Sequence, residues 1–300
     1  MKIFKFGGAS VKDAESIGNV AEILVKFSGE KIIVVVSAMG KTTNALEALV
    51  DHYFNNRQSS AQTAFEAVKK FHFDIVAELL NSKPKWLDDV LYELHEVFSE
   101  MKKQLVLKPS ADYPVVYDQI VSLGEIISSK ILSMYLNSLQ DVRFRNDWHD
   151  IRFCVVTDNA YMSANVDWEK TAYYAKLILL SALEDGLIVT QGFIGRHVPS
   201  HRTTTLGREG SDYTAAILAN CLDAEEVILW KNVPGIMSAD PNKDKEAKKF
   251  DNLSYDEAFN LLSKGAKVVH PKTIKPLAEK GIPLYIKNFF DPEAPGTKIS

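Results

Sequence analysis

Apolar positions follow two rhythms along the 300-residue chain. Short unbroken apolar runs occur at residues 2–6 (KIFKF) and 31–36 (KIIVVV), the second of them β-branched. Runs of that length without polar alternation predict strands buried on both faces of a parallel sheet. Between them Ile17, Val20, Leu24 and Phe27 recur at helical spacing, with Asp13 at the N-cap position and Gly29 at the C′ position. The first 36 residues therefore predict a βαβ unit. Residues 43–54, 60–81, 85–105 and 115–138 carry apolar residues three and four apart, punctuated by Pro84, Pro109 and Pro114. Few strand signals fall between residues 56 and 112, which predicts a helical insertion between sheet elements. After Asp150 the α/β rhythm returns, with strands predicted at 151–156, 187–191, 227–230 and 283–287. Helices are predicted at 167–183, 211–221, 254–263 and 271–280; the third opens on a capping-box pattern, Ser254 to Glu257, and the fourth on Pro271. The pattern as a whole predicts an α/β fold, a three-layer sandwich around a mostly parallel sheet.

Composition adds limits. With 46% hydrophobic and 25% charged residues the chain can bury a sizeable core. A net charge of −4 gives no electrostatic drive toward nucleic acid or a membrane surface. No apolar stretch approaches a membrane span, and the N-terminus lacks the apolar centre of a signal peptide, so the expected compartment is the cytoplasm. The two cysteines, Cys154 and Cys221, sit in apolar surroundings without metal-ligand spacing and read as buried thiols.

Four glycine-containing turns carry the candidate chemistry, all at or near predicted strand ends. In Lys5-Phe6-Gly7-Gly8-Ala9-Ser10 adjacent glycines let backbone amides approach an anion that Lys5 can also reach; a plain structural turn is the alternative. Ser37 to Asn44 joins a strand to a helix N-terminus and suits either an anion or an ordinary cap by Thr42 or Thr43. Leu206 to Thr214 sets Arg208 between glycines before a helix opening on Ser211-Asp212; an arginine fork suits a carboxylate. Trp230 to Pro241 reads as a strand, a Pro-Gly turn and an Asp-Pro. Strand ends are where open α/β sheets bind ligands, and two amide-rich loops plus an arginine imply two anions held close together, the requirement of phosphoryl transfer. Glu125, an acid within the apolar helix SLGEIISSKIL, is expected to be either salt-bridged or functional. His270 is expected to be a structural hydrogen-bonding group.

In order, KFGGAS, SLGE (Ser122 to Glu125), TLGREGSDYTAA, WKNVPGIMSADP and GAKVVHP (Gly265 to Pro271) resemble the signature segments of aspartate kinases, members of the amino-acid kinase fold. The resemblance runs from Lys2 to Pro295-Gly296-Thr297. It implies transfer of the γ-phosphoryl of ATP to the side-chain carboxylate of L-aspartate, giving 4-phospho-L-aspartate on the route to lysine, threonine and methionine. It implies an amino-acid lobe over residues 1–194 and an ATP lobe over 195–300. Lys5 would meet the transferring phosphoryl group, with Gly7, Gly8 and Ser10 along the phosphate path. Thr43, Ser37 and Ser211 would lie on the amino-acid side, where Glu125 would take the ammonium and Arg208 the α-carboxylate. Asp212 would orient the site, and Lys231, Asn232, Met237, Asp240 and Lys267 would serve the nucleotide. No protein-only metal cage is expected; Mg²⁺ would arrive with ATP.

Four positions depart from that pattern. Lys231-Asn232 stands where Thr-Asp is common beside the adenine, Ala9 where threonine is usual, and Glu209 where glycine is common. The alternatives are a kinase of glutamate or N-acetylglutamate and an amino-acid- or nucleotide-binding regulatory subunit without turnover. Members of the resembling family continue into regulatory domains, none of which is expected in these 300 residues, so inhibition by lysine or threonine is not expected. A homodimer is left open.

Overall fold

The computed structural model describes residues 1–106, 112–239, 246–263 and 268–300. The chain opens with β1 (Lys2–Phe6), α1 (Ala14–Val25) and β2 (Ile32–Val36). A helical stretch follows: α2 (Thr42–Phe54), α3 (Gln58–Leu79), α4 (Pro84–Val106), α5 (Tyr113–Val121) and α6 (Leu123–Ser138). Then come β3 (Asn146–His149), α7 (Trp168–Ala182), β4 (Leu187–Gln191), β5 (Ile194–His197), β6 (Arg202–Thr205), α8 (Gly210–Leu222) and β7 (Glu226–Lys231). The last elements are β8 (Asn252–Leu253), α9 (Tyr255–Ser263), α10 (Pro271–Ala278), β9 (Leu284–Asn288) and β10 (Thr297–Ile299).

Eight strands form one sheet in the order β3-β4-β2-β1-β7-β9-β10-β8, parallel except where β10 runs against β9. Strand order moves one way from β1 to β2 to β4 and the other way from β4 to β7 to β9. Right-handed crossovers then place α1 and α6 on one face and α7, α8 and α10 on the other, giving three layers. Gly18 of α1 lies 4.0 Å from the Tyr135 hydroxyl of α6, measured from an added Cβ, which is consistent with their sharing a face. The parallel register brings the carboxyl ends of β1, β2, β4 and β7 to one edge. Their inner residues are fully buried, as the unbroken apolar runs require. An aromatic group centred on Trp230, with Phe4 and Phe6, fills the middle of the core.

Local expectations fared differently. Asp13 caps α1 by accepting from the Ser16 amide at 2.8 Å, and Ser254 and Glu257 form the reciprocal box at α9. Gly29 does not close α1: the helix stops at Val25, and Gly29 adopts φ +89 in the turn beyond. Neither Thr42 nor Thr43 caps α2; Thr42 already lies inside it, and its hydroxyl meets His72 Nε2 at 3.2 Å. The helix expected over 115–138 divides at Ser122, where the backbone bonds stretch to 3.4 and 3.5 Å. Residues 151–156 are not a strand. Asp150 turns its side chain onto the Arg152 amide, the Ile151 amide donates to Gln191 Oε1, and the segment coils into a short 3₁₀ turn. The strand beside β4 is the polar NDWH of β3 instead. The hairpin of β5 and β6 was not expected, because its RTTT run lacks apolar alternation; Thr204 and Thr205 are buried through hydrogen bonds to Thr157 and Asp118.

Candidate active site

Lys5 is the fourth residue of a buried five-residue strand, yet its side chain is only 6% exposed. A buried ammonium needs an anion, and Asp212 supplies it from the first turn of α8: Nζ stands 2.6 Å from Oδ1. Lys231, at the end of β7, reaches the same carboxylate, its Nζ donating to Oδ2 at 2.6 Å. Asp212 is wholly inaccessible to solvent. Burial opposes its ionisation, but Lys5 and Lys231 outweigh it and hold the carboxyl at about 2. For Lys5 burial is the larger influence and pulls the amine below its ordinary value, against the charge of Asp212.

The loops that frame this pair touch one another. The Gly40 amide donates to the Gly8 carbonyl at 2.9 Å, and a Cβ on Gly8 would sit 2.7 Å from the Ala38 carbonyl oxygen. Only glycine permits that approach. Behind it Ser10 is buried, with its amide bonded to the Gly7 carbonyl at 2.9 Å, and a Cβ on Gly7 would lie 3.5 Å from Lys5 Nζ. On the β4 side, Gly192 lies so close to α8 that an added Cβ would fall 2.5 Å from the Ser211 Cβ.

A cavity of about 320 Å³ opens beside Lys5. Six residues singled out in the sequence line it: Lys5, Ser37, Thr43, Glu125, Arg208 and Ser211. Arg208 is exposed at its mouth, following Gly207 at φ +73. Glu125 is the opposite case. Among the described residues it forms no salt bridge; one oxygen accepts from the Ala38 amide at 3.3 Å, and buried Oε2 meets no partner there. Burial pushes its carboxyl up to about 8, against the Ala38 amide and the charge of Lys5. A carboxyl group in that position is chemically able to receive an incoming cationic or hydrogen-bonding group.

The remaining sequence candidates stand apart from the cavity lining. Lys231 is directed to Asp212, Asn232 is exposed, and Met237 is half-buried in a bridge to Lys249. Asp240 and Lys267 lie outside the described residues. His270 is a cap: its Nδ1 accepts from the Lys272 amide at 3.2 Å.

Four lining residues escaped the sequence reading: Glu47, Tyr117, Met162 and Phe193. Tyr117 donates to Glu47 at 2.6 Å, so α2 and α5 close one wall together. Asp118 was missed as well. It is fully buried and accepts from the Met162 amide, the Thr205 amide and the Thr205 hydroxyl, which fixes the loop carrying Met162 against β6. Its one visible signal was an acid within an apolar helical stretch, as for Glu125. Lys272 is a further cation near this corner, donating to the Leu206 carbonyl at 2.7 Å. Burial draws its amine down to about 8, against the charges of Glu209 and Asp212.

Among the described residues no group of three or more His, Cys, Asp or Glu side chains is placed to hold a metal ion, and no helix is long and apolar enough to cross a membrane.

Residues 1–288 match the amino acid kinase family. The chain is 34% identical over 297 residues to lysine-sensitive aspartokinase 3 of Escherichia coli (strain K12), covering 99% of this chain and 63% of that protein. It is 33% identical over 303 residues to the chloroplastic aspartokinase 1 of Arabidopsis thaliana, covering 99% of this chain and 52% of the relative. The chain thus spans between about half and two thirds of the length of these relatives. In three dimensions it superposes on the crystal structure of E. coli aspartokinase III in complex with aspartate and ADP (R-state). The TM-score is 0.90 at 33% identity, over 100% of this chain and 64% of the other.

Proposed function

The chain belongs to the amino acid kinase family, and from that membership and the cavity's geometry we propose that it phosphorylates the β-carboxylate of L-aspartate with ATP. One observation supports the choice of substrate above the rest. The cavity carries a buried carboxyl, Glu125, with one oxygen unpartnered among the described residues, together with an exposed guanidinium, Arg208. That combination suits an ammonium and a carboxylate on one small molecule, a free α-amino acid. N-acetylglutamate has no ammonium to offer Glu125. Aspartate rather than glutamate follows from the relatives, which are aspartokinases.

In the proposed reaction Arg208 grips the α-carboxylate and Glu125 the ammonium, while Ser37, Thr43 and Ser211 contact the amino acid. This fixes the β-carboxylate for in-line attack. A carboxylate oxygen forms a bond to the γ-phosphorus as the bond to the bridging oxygen of ADP breaks. No proton is lost, so no strong base is needed. The obstacle is the approach of two anions. Lys5, held in place by Asp212, and the amides of the Gly7-Gly8 loop near Ser10 meet the charge that develops on the phosphoryl oxygens. Lys231, Asn232 and Met237 lie toward the nucleotide. The donor set around Lys5 is ammonium groups and backbone, with the nearest carboxylate engaged by two lysines. Such a set fits a polyphosphate rather than a bare ion, and a Mg²⁺ carried on the nucleotide would add neutralising charge when bound. In this reading residues 1–194 supply most of the amino-acid side and residues 195–300 most of the nucleotide side.

A non-catalytic binding role would not require a lysine buried against an aspartate at the phosphoryl position. The test is to incubate the protein with ATP, Mg²⁺, L-aspartate and hydroxylamine. Aspartyl hydroxamate is the expected product. Product from glutamate but not from aspartate would overturn the substrate assignment, and no product from either would overturn the kinase reading.

A further inference from the structure

Lys231 is the position where the sequence pattern and the structure pull apart. The resemblance sets residue 231 beside the adenine, where threonine is common. In the structure its side chain is 16% exposed and its Nζ lies 2.6 Å from Asp212 Oδ2, the oxygen that Lys5 does not take. The same amine lies 4.0 Å from Glu209 Oε2. Glu209 is the other charged departure from the family pattern, and it holds a left-handed backbone, φ +52 and ψ +29, that glycine adopts without strain. The two departures therefore face each other across the start of α8.

The charge count explains what this arrangement does. Lys5 and Asp212 alone form a neutral pair that presents no surplus charge to an anion. With Lys231 on the second oxygen, the buried trio of Lys5, Asp212 and Lys231 carries one net positive charge. Glu209 offsets it only weakly, since its side chain is 49% exposed and screened by water. Lys231 also disfavours the charge on Lys5, so the trio is poised to gain from a nearby anion.

We propose that Lys231 is a second cation beside Lys5 at the phosphoryl-transfer site, acting through Asp212 to give the site net positive charge toward the nucleotide's polyphosphate, and that it does not serve the adenine. This rests on the kinase reading and deepens it. Its ligand class is a polyphosphate, and its action on Lys5 is that of a positioning residue: Asp212 shared between two amines is held in one orientation.

The experiment compares the parent chain with Lys231→Gln, which keeps a donor for Asp212 but not the charge, and Lys231→Arg, which keeps both. Dissociation constants for ADP, inorganic tripolyphosphate and adenosine are measured by calorimetry, using displacement for the weaker ligands. Lys231→Gln should weaken ADP and tripolyphosphate by roughly 10- to 100-fold, the range of a charged hydrogen bond. Adenosine should stay within about twofold, which also reports that the variant is folded. Lys231→Arg should hold tripolyphosphate within a few-fold of the parent, and this comparison stands if the glutamine variant does not fold. In turnover, Lys231→Gln should raise KM for ATP and lower kcat, with KM for aspartate little changed. Equal losses for adenosine and ADP would assign Lys231 to the base, and no loss for any ligand would remove it from the site; either result overturns the proposal. A parent chain that binds ADP and makes hydroxamate while Lys231→Gln behaves identically sinks this inference alone. A parent that binds no nucleotide sinks the kinase reading and this inference with it.

Discussion

Aspartate binding should be linked to the loss of a proton from Glu125. In the free chain burial places this carboxyl at about 8, and among the described residues its Oε2 has no partner. At pH 7, then, roughly nine free molecules in ten hold the proton. An ammonium arriving at Oε2 favours the charged form, so the bound-state pKa falls well below the free-state value. The sign follows. Affinity is full above about pH 8 and weakens about tenfold for each unit below it, until the bound-state pKa is reached. The apparent Kd for aspartate at pH 7 should be about tenfold weaker than the high-pH limit, and at pH 6 about 100-fold weaker. Calorimetry at pH 6, 7 and 8, in two buffers of different ionisation enthalpy, reads both the affinity and the released proton, close to one at pH 7. Glu125→Gln should bind weakly and with a flat pH profile. The same shift bears on stability. The carboxyl's folded value of about 8 lies above its ordinary 4.5, so the folded chain holds the extra proton between these limits and stability falls as pH rises through that window. The upper bound is on the order of 4–5 kcal/mol, and without ligand Glu125→Gln should melt higher than the parent at pH 8.5 but not at pH 5. A parent Kd that is constant from pH 6 to 8, with heats independent of buffer, would refute the reasoning.

Lys5→Ala should lower kcat by on the order of 10²–10³-fold and leave KM for aspartate nearly intact, because in the proposed reaction Lys5 meets charge that grows in the transition state; an unchanged kcat would remove Lys5 from the phosphoryl group. Arg208→Ala should raise KM for aspartate strongly, and Arg208→Lys should rescue poorly, since an ammonium cannot form the planar bidentate pair; a normal KM in the lysine variant would show that fork geometry is irrelevant. Gly192→Ala should destabilise the chain by about 1–3 kcal/mol in urea denaturation and depress turnover, because its Cβ would fall 2.6 Å from the Ser211 backbone and push the start of α8 away from Lys5; a fully active variant of parental stability would contradict that placement.

Sheet and site were legible to different depths, for physical reasons. The strand at residues 31–36 declared itself because a strand covered on both faces has no polar position to blur it. Glu125 stood out because an acid amid SLGEIISSKIL has to be compensated or used. Residues 151–156 misled because apolar composition marks burial, not conformation, and side-chain bonds from Asp150 and Gln191 replace the ladder there. The threonines of β6 were overlooked because their burial is licensed by hydrogen bonds to distant residues, Asp118 among them. The bond from Lys231 to Asp212 could not be read from the sequence. Nothing local to β7 says that its last side chain will find an acid on α8, nineteen positions earlier.

The backbone contact between Gly8 and Gly40 has a consequence for how such a chain can change over generations. β1 carries Lys5 and the turn after it Gly7; the loop after β2 carries Ser37 and leads into α2, which carries Thr43. With the Gly40 amide bonded to Gly8 and no room for a methyl group between Gly8 and Ala38, the two loops behave as one cassette. An insertion in either would have to be matched in the other, so the strand end bearing Lys5 and the residues facing the cavity are mechanically tied. A chimera that exchanges only one of these loops with a relative would misfit at the backbone, whereas exchanging both together would carry the junction intact.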